Sequence, residues 1–230
     1  PDSLACSECH HRGGFDGAGD LSQNAFFDGD GYAPASGFER NAPHVLGLGV
    51  VQKLAEEMTA ALALRRDELK FGAESSGKAQ TLPLDAKGVS FGELTAHPDG
   101  TLDTSRVKGV LPDLVVRPLG WKGGQSTIRD FARDGFQRHH GMQAVDPATP
   151  GKGPAWDKDE DQNTTEIIPG MLTTITVYLA LLDIPVMIPP EDPKLLERHG
   201  KGWEAFHRVG CGDCHRASLP LADSSLKITD

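Results

Sequence analysis

The sequence predicts a mainly α-helical fold with extensive loops and a minor β hairpin. Apolar residues recur with the helical period in several stretches, whereas only one short stretch alternates apolar and polar residues. Glycine and proline contribute 27 and 16 of the 230 residues, which is about 19% against a usual ~12%. Much of the chain is therefore expected to be loop, organised by something besides regular secondary structure.

Length and charge limit the possible functions. A chain of 230 residues forms one or two domains, and its apolar content suffices for a core. The net charge of −10 argues against nucleic acid as a partner. The longest uncharged stretch, residues 167–182, has 16 residues and includes Pro169 and Gly170. It is too short for a membrane-spanning helix, so we predict no transmembrane span.

The first half of the chain predicts one long helix and the hairpin. Residues 41–71 carry an apolar stripe at helical spacing: Val51, Leu54, Ala55, Met58, Ala61 and Leu62. Residues 89–107 alternate at Val89 and Phe91 and contain the turn sequence His97-Pro98-Asp99-Gly100, which predicts a hairpin. Residues 114–116 predict a further short strand.

The second half predicts three more helices. Ser126 and Thr127 can cap the first of them, with Asp130 at capping-box spacing from Thr127. Its apolar face leads from Ile128, Phe131, Ala132 and Phe136 to His139, His140 and Met142. A buried helix follows at about residues 170–182. The last helix, at about residues 192–209, has one side formed by Leu195, His199, Trp203 and Phe206.

A proline-rich stretch at residues 185–193 separates these last two helices. Proline interrupts regular structure because its ring fixes φ and removes a backbone donor. We therefore expect two units, residues 1–188 and residues 189–230.

The spacing of the four cysteines indicates what could organise the loops. They occur as Cys6-Ser7-Glu8-Cys9-His10 and Cys211-Gly212-Asp213-Cys214-His215. C-x-x-C-H is the attachment signature of c-type haem, in which two thiols bond to the haem vinyl groups and the histidine ligates the iron. The sequence therefore predicts two covalently bound haem c groups, with His10 and His215 as proximal iron ligands.

Two other uses of paired cysteines fit less well. A zinc ribbon needs about 15–20 residues between its C-x-x-C pairs, whereas 201 residues separate Cys9 from Cys211. Disulfides and redox dithiols have no need for the histidine that follows both pairs. A zinc-binding module remains a third hypothesis, and it predicts a colourless protein.

Thioether attachment of haem takes place on the p-side of an energy-transducing membrane, so we predict a periplasmic or otherwise exported protein. The chain opens Pro1-Asp2-Ser3, without the basic and apolar regions of a signal peptide. We therefore expect the sequence to be that of a mature or partial chain.

Further motifs resemble a known family. The chain is similar to the bacterial di-haem cytochrome c peroxidases, to the related di-haem enzyme that matures tryptophan tryptophylquinone, and above all to the di-haem (thiol) oxidoreductases. Besides the two haem motifs, the residues that carry this resemblance are Arg40-Asn41-Ala42-Pro43, Leu46-Gly47-Leu48-Gly49, Arg117-Pro118-Leu119-Gly120-Trp121-Lys122-Gly123, Thr127-Ile128-Arg129-Asp130-Phe131 and Val209-Gly210-Cys211.

The resemblance implies cytochrome c-like haem domains and a division of labour between two haems. The haem on Cys6, Cys9 and His10 would meet peroxide or another small oxidant. The haem on Cys211, Cys214 and His215 would pass electrons from a small redox protein. Trp121 would be either an electron relay between the haems or an aromatic packed on a haem edge.

The helix before the second motif resembles the amino-terminal helix of a cytochrome c. The first motif has no such helix, and the second has too few following residues to supply a distal ligand. We therefore expect both units to be truncated. The alternative function is a non-catalytic di-haem electron-transfer cytochrome, or a subunit of a larger respiratory complex.

The ligand opposite the first iron is left open by the sequence. Peroxidases of this kind carry a distal histidine before the Arg-Asn-x-Pro segment, but residues 12–39 contain no histidine. That iron is therefore either open on its distal side, or capped by a more distant residue. The distal candidates are His44, His139, His140 and Met142. The histidine pair can equally be a surface or hydrogen-bonded pair, and Met142 a core residue.

Two acidic features carry weaker hypotheses. Glu56 and Glu57 lie where the family can place an acid-base residue, although a solvated helix face explains them better. Residues 157–168 begin like a calcium loop with Asp157-x-Asp159-x-Asp161, but Gln162 replaces the required glycine and Ile168 the bidentate glutamate. Calcium is therefore a weak candidate.

Overall fold

The structure is a computed structural model that describes residues 5–10, 25–26, 38–39, 42–120, 122–144, 163, 165–186 and 188–226. Within these ranges the fold is mixed α/β, because four helices of eight or more residues accompany a three-stranded antiparallel sheet. None of the helices in these ranges is long and apolar enough to cross a membrane.

Short elements surround the first haem motif. Helix α1 is Cys6–His10, and the strands β1 (Ala25–Phe26) and β2 (Phe38–Glu39) form a two-residue antiparallel pair. The long helix α2, Leu48–Ser76, follows. It confirms the helix predicted from the apolar stripe. Gly47 and Gly77 flank it in left-handed conformations, which suit glycine at helix ends.

A three-stranded meander packs on α2. Its strands are β3 (Gln80–Ala86), β4 (Val89–Ala96) and β5 (Leu102–Asp103), in the order β3-β4-β5. The predicted hairpin is confirmed as β4 and β5. The prediction was incomplete because it omitted β3, the longer of the two partners of β4, in which Leu82, Leu84 and Ala86 alternate with more exposed residues despite a register shift between Pro83 and Asp85. The predicted mainly α fold is accordingly corrected to mixed α/β.

The strand predicted at residues 114–116 is wrong. Leu114 is buried in a left-handed conformation with φ of 60°. The N–H of Val115 donates to the Asp113 carboxylate at 3.1 Å, and that of Val116 donates to Thr59 Oγ1 at 3.0 Å. Side chains thus accept the backbone N–H groups that a strand would offer to a neighbour.

The remaining helices follow the predicted order. Helix α3 is Ile128–Gly135, continued by a π-helical turn at Phe136–His140 that the sequence did not indicate. Helix α4 is Pro169–Ala180, and it is buried on one side only, at Leu172, Thr176 and Leu179. Helix α5 is Pro193–Arg208, capped by Asp192, and α6 is Cys211–Cys214. No residue of α5 is buried.

Two hydrophobic clusters meet along α2. The sheet core joins α2 to β3 and β4 through Met58, Leu62, Leu69, Ala73, Leu84, Ala86, Phe91, Leu94 and Ala96, with Leu114. The helix core joins the start of α2 to α3 and α4 through Leu48, Leu119, Ile128, Ala132, Ala144, Ile167, Leu172 and Leu179. The first C-x-x-C-H motif lies beside the helix core, because Phe131 packs against that core and its ring also meets the ring of His10.

Candidate functional site

The first C-x-x-C-H motif forms one turn of helix. Positions i, i+3 and i+4 of a helix share a face, so α1 presents Cys6, Cys9 and His10 to the same side. Neither Cys6 nor Cys9 is in a disulfide. Although Cys6 as a whole is exposed, desolvation around its sulfur raises the pKa of the thiol above its usual value. The motif therefore holds two reduced thiols beside one imidazole.

The backbone fixes the proton of His10. His10 Nδ1 lies 2.7 Å from the carbonyl oxygen of Pro43. A carbonyl oxygen can only accept, so Nδ1 carries the proton and Nε2 carries the lone pair. Histidine ligands of metals are commonly oriented in this way, with one ring nitrogen donating to a carbonyl and the other facing the metal. The sequence offered no signal for the part that Pro43 plays.

Aromatic side chains from α3 and its π-helical turn surround the motif. The Phe131 ring meets the His10 ring edge-on, with centroids 6.4 Å apart. His140 Nε2 lies 3.7 Å from Cys6 Sγ, and the His140 ring is 5.7 Å from that of Phe136. The predicted continuation of the apolar face of α3 toward the histidine pair thus leads to the first motif.

Helix α3 is held firmly at both ends. At its start, Thr127 Oγ1 accepts the N–H of Asp130 at 3.1 Å, and Gln52 Oε1 accepts that of Ile128 at 2.7 Å. At its end the π-helical turn closes on Gly141, whose φ is 72°. π-Helical turns are frequent at functional sites because the extra residue redirects the side chains that follow. This turn directs His140 toward Cys6.

The glycine-rich segment that follows Pro43 starts α2 and brings it close to α4. Gly47 N–H donates to the carbonyl oxygen of Leu182 at 3.2 Å. A Cβ atom at Gly49 would lie 2.3 Å from the Ala180 carbonyl oxygen, so α2 and α4 cross more closely than any other residue allows. The Leu46-Gly47-Leu48-Gly49 motif is therefore a helix-crossing motif next to the His10 hydrogen bond.

The Arg117-to-Gly123 motif forms a tight loop before α3. Leu119 and Gln125 exchange backbone hydrogen bonds at 3.0 and 3.2 Å. Gly120 and Gly123 have φ values of 74° and 76°, as a turn of this kind requires. Arg117 pairs with Asp113, which lowers the pKa of the Asp113 carboxyl and raises that of the guanidinium. Trp121, the candidate relay within this motif, lies outside the described residues.

The second motif has a different environment. Helix α6 starts at Cys211, and the N–H of His215 donates to the Cys211 carbonyl oxygen at 2.9 Å. His215 is exposed and meets the Phe206 ring with centroids 6.0 Å apart. On α5 the Trp203 and Phe206 rings stack at 6.0 Å. Of the two proximal candidates, His10 is therefore the more shielded and His215 the more accessible.

The distal candidates are not equivalent. His140 reaches the first motif, whereas His44 Nδ1 accepts the N–H of Leu46 at 3.2 Å. Met142 is half-buried against the helix core, and His139 is half-buried on the π-helical turn. Their roles at an iron remain predictions.

The described residues show neither an acid-base site at Glu56 and Glu57 nor a calcium site. Glu57 lies in a shielded ion pair with Lys87 rather than on a solvated face, and Glu56 accepts a hydrogen bond from Gln52. Residues 157–162 lie outside the described part of the chain, so calcium there remains a prediction. Within the described part, no group of three or more His, Cys, Asp or Glu side chains could hold a metal ion.

The chain was compared with protein-family models, with curated proteins and with solved structures, and no match was found in any of the three.

Proposed function

We propose that this chain is a periplasmic di-haem c-type oxidoreductase of the peroxidase-like class. The observation that carries the proposal is the 2.7 Å hydrogen bond from His10 Nδ1–H to the Pro43 carbonyl oxygen. It gives the histidine of a C-x-x-C-H motif the tautomer that a proximal iron ligand needs. Both partners belong to motifs that carry the family resemblance, although they are 33 residues apart.

The residues at the first motif fit a covalently held haem. Cys6 and Cys9 supply thiols for two thioether bonds, and His10 supplies Nε2 as the proximal ligand. Phe131 and Phe136 offer half-buried aromatic surface beside them. When bound, haem supplies an iron that exchanges single electrons and, where an axial position is open, accepts a small oxidant.

We assign His140 first among the distal candidates. Its Nε2 lies 3.7 Å from the sulfur that would bear the haem, which supports a role for this imidazole close to a bound haem. An imidazole titrates near neutral pH and can therefore hold or release a proton close to a bound oxidant. His139, His44 and Met142 remain secondary candidates, and the electron relay at Trp121 stays part of the proposal.

The second motif suits electron entry. Its histidine is exposed, and Trp203 and Val209 on the same unit are 42% and 70% exposed. A small redox protein could approach this surface, whereas His10 at the first motif is half-buried. We therefore propose that electrons enter through the haem on Cys211, Cys214 and His215.

The experiment is a spectroscopic and kinetic comparison of the purified protein. A haem assay and intact mass should give two covalent haems per chain. The ferric protein should show a high-spin signal beside a low-spin one, and it should turn over peroxide with a reduced electron donor. Two low-spin haems that are inert to peroxide would overturn the enzymatic proposal.

A second function is favoured by one observation. Large apolar side chains are exposed from the end of α4 into the second unit, including Leu181 at 76%, Val186 at 78% and Ile188 at 86%. Continuous exposed apolar surface is typical of interfaces. A non-catalytic electron-transfer subunit of a larger respiratory assembly would show two low-spin haems and would co-purify with partner chains.

A further inference from the structure

The segment that follows the second motif returns to the first unit. Residues 219–226, here called the post-motif segment, contact the middle of α2 and the turn between β3 and β4. Leu226 packs against the helix core. The second motif is thus connected to the first unit on both sides, through residues 181–192 before it and through the post-motif segment after it.

Glu57 is the centre of the attachment. Its carboxylate accepts the N–H of Ala222 at 3.0 and 3.1 Å and the N–H of Asp223 at 2.9 Å. Lys87 Nζ lies 2.5 Å from Glu57 Oε2 and also donates to the Pro220 carbonyl oxygen at 2.6 Å. Two side chains therefore bind three backbone groups within residues 220–223.

The attachment is shielded from water. The Glu57 and Lys87 side chains are each 15% exposed, whereas the ion pair of Arg65 and Glu68 on the same helix is 46% and 49% exposed. Shielding strengthens charge-assisted hydrogen bonds because less water competes for the charges. Lys87 and the two amides hold the pKa of Glu57 down at about 2, against the opposing effect of desolvation.

The backbone at Lys87 is unusual. Lys87 has a φ of 51° in the two-residue turn that it forms with Gly88. Asparagine, aspartate and glycine are the residues that favour this left-handed position. A lysine there has a conformational cost, and its side chain supplies the cation that binds both Glu57 and the post-motif segment.

The length of chain between the motif and this attachment is short. Five residue steps separate His215 from Pro220. Even fully extended, they span about 17 Å. Since no residue of α5 is buried, packing of α5 does little to hold the second motif in place. The attachment at Glu57 therefore limits where His215 can lie.

We infer that Glu57 and Lys87 are positioning residues that hold the second haem motif at a fixed place relative to the first, and so set the rate of electron transfer between the haems. The inference rests on the proposed function for its two haems. The attachment itself does not depend on haem chemistry.

The experiment compares Glu57→Gln and Lys87→Met with the wild-type holoprotein. Glu68→Gln is the matched control, because Glu68 lies on the same helix in an exposed ion pair, and Lys87→Arg should retain the attachment. Hydrogen exchange measures release of residues 219–226. Pulsed EPR between the ferric haems measures their separation, and stopped-flow reduction measures the transfer rate.

Both test variants should exchange the post-motif amides at least about tenfold faster, because a charge-assisted bond is lost in each. They should also broaden the distribution of haem separations and slow transfer between the haems, at unchanged haem content. Lys87→Arg and Glu68→Gln should match wild type.

Two results would overturn the inference. Unchanged exchange would show that Glu57 and Lys87 do not hold the segment. Faster exchange with an unchanged haem separation would show that Glu57 and Lys87 hold the post-motif segment but do not determine the position of the second motif. A wild-type protein with fewer than two haems would instead contradict the proposed function, and the exchange measurement would still decide whether the attachment exists.

Discussion

Replacing Gly49 with alanine tests the helix crossing beside the first haem motif. The new Cβ atom would lie 2.3 Å from the Ala180 carbonyl oxygen, whereas ordinary contacts begin at 3.4 Å. The start of α2 must therefore move from α4 by about 1 Å, which forfeits a quarter to a half of the attraction across the contact. The atoms of Ala180 that the new Cβ would meet all belong to the backbone, so rotation of a side chain cannot relieve the clash.

The expected change in the free energy of unfolding is the result of two opposing effects. Overpacking at a close contact costs about 1–3 kcal/mol, and alanine in place of glycine gains up to about 1 kcal/mol in helix propensity. The same substitution at Gly200 of α5 meets no atom within 4 Å. Subtracting that control removes the propensity gain, so Gly49→Ala should be less stable than Gly200→Ala by about 1–3 kcal/mol.

Urea unfolding followed by circular dichroism measures this difference. For a chain of this size it corresponds to a melting temperature lower by about 2–4 °C per kcal/mol. Equal stabilities of the two variants would refute the reasoning, because they would mean that α2 and α4 do not cross as closely as the contact between Gly49 and Ala180 requires.

Three further predictions concern single side chains. Cys9→Ser should leave the first haem with one thioether bond at most, which a changed haemochrome spectrum and haem loss in denaturant would show; an unchanged spectrum would contradict attachment at this motif. The pKa of Glu57 is lowered from 4.5 to about 2, so its attachment should be complete above pH 4.5 and be lost as the pH falls toward 2. Lys87 pairs with this carboxylate, and Lys53 pairs with the neighbouring Asp223; as the pH falls across this range, the protection of residues 219–226 relative to the intrinsic exchange rate should fall in wild type and stay low in Glu57→Gln. Gln143 is fully buried, and neither polar atom of its amide has a hydrogen-bond partner among the described residues. Gln143→Met should therefore stabilise the haem-free chain by about 1–3 kcal/mol in urea unfolding, and destabilisation would reveal a polar partner of that amide.

Local pattern was sufficient for the elements that depend on local contacts. The stripe from Val51 to Leu62 predicted α2, and Thr127 with Asp130 predicted the start of α3, because helix periodicity and capping are encoded within a few residues. Strand β3 was missed although Leu82, Leu84 and Ala86 alternate with more exposed residues, because Pro83 argues against a strand except at the edge of a sheet, which is where β3 lies. The π-helical turn has no comparable signal, since its extra residue is stabilised by the chain that follows.

At the candidate site, too, the sequence predicted the residues that are close in the chain and missed the partners that are distant in the chain. Spacing alone singled out Cys6, Cys9 and His10, because covalent attachment needs them within one turn. The partner of His10 is a backbone carbonyl 33 residues away, and any residue can supply a carbonyl. The Glu57 attachment likewise joins side chains to backbone amides 165 residues away. Such contacts depend on tertiary structure and leave no trace in residue type.

The two motifs share a spacing but differ in the means by which the protein can tune an iron. At the first motif, the oriented His10, the aromatic rings and the nearby His140 can each shift the potential or acidity of a bound group. At the second motif, His215 is exposed, so solvent screens most such effects. An iron that must bind and activate an oxidant needs the first kind of environment, whereas one that only exchanges electrons with a partner needs access. The difference in burial therefore supports the proposed direction of electron flow, from the second motif to the first, independently of the family resemblance from which that direction was first expected.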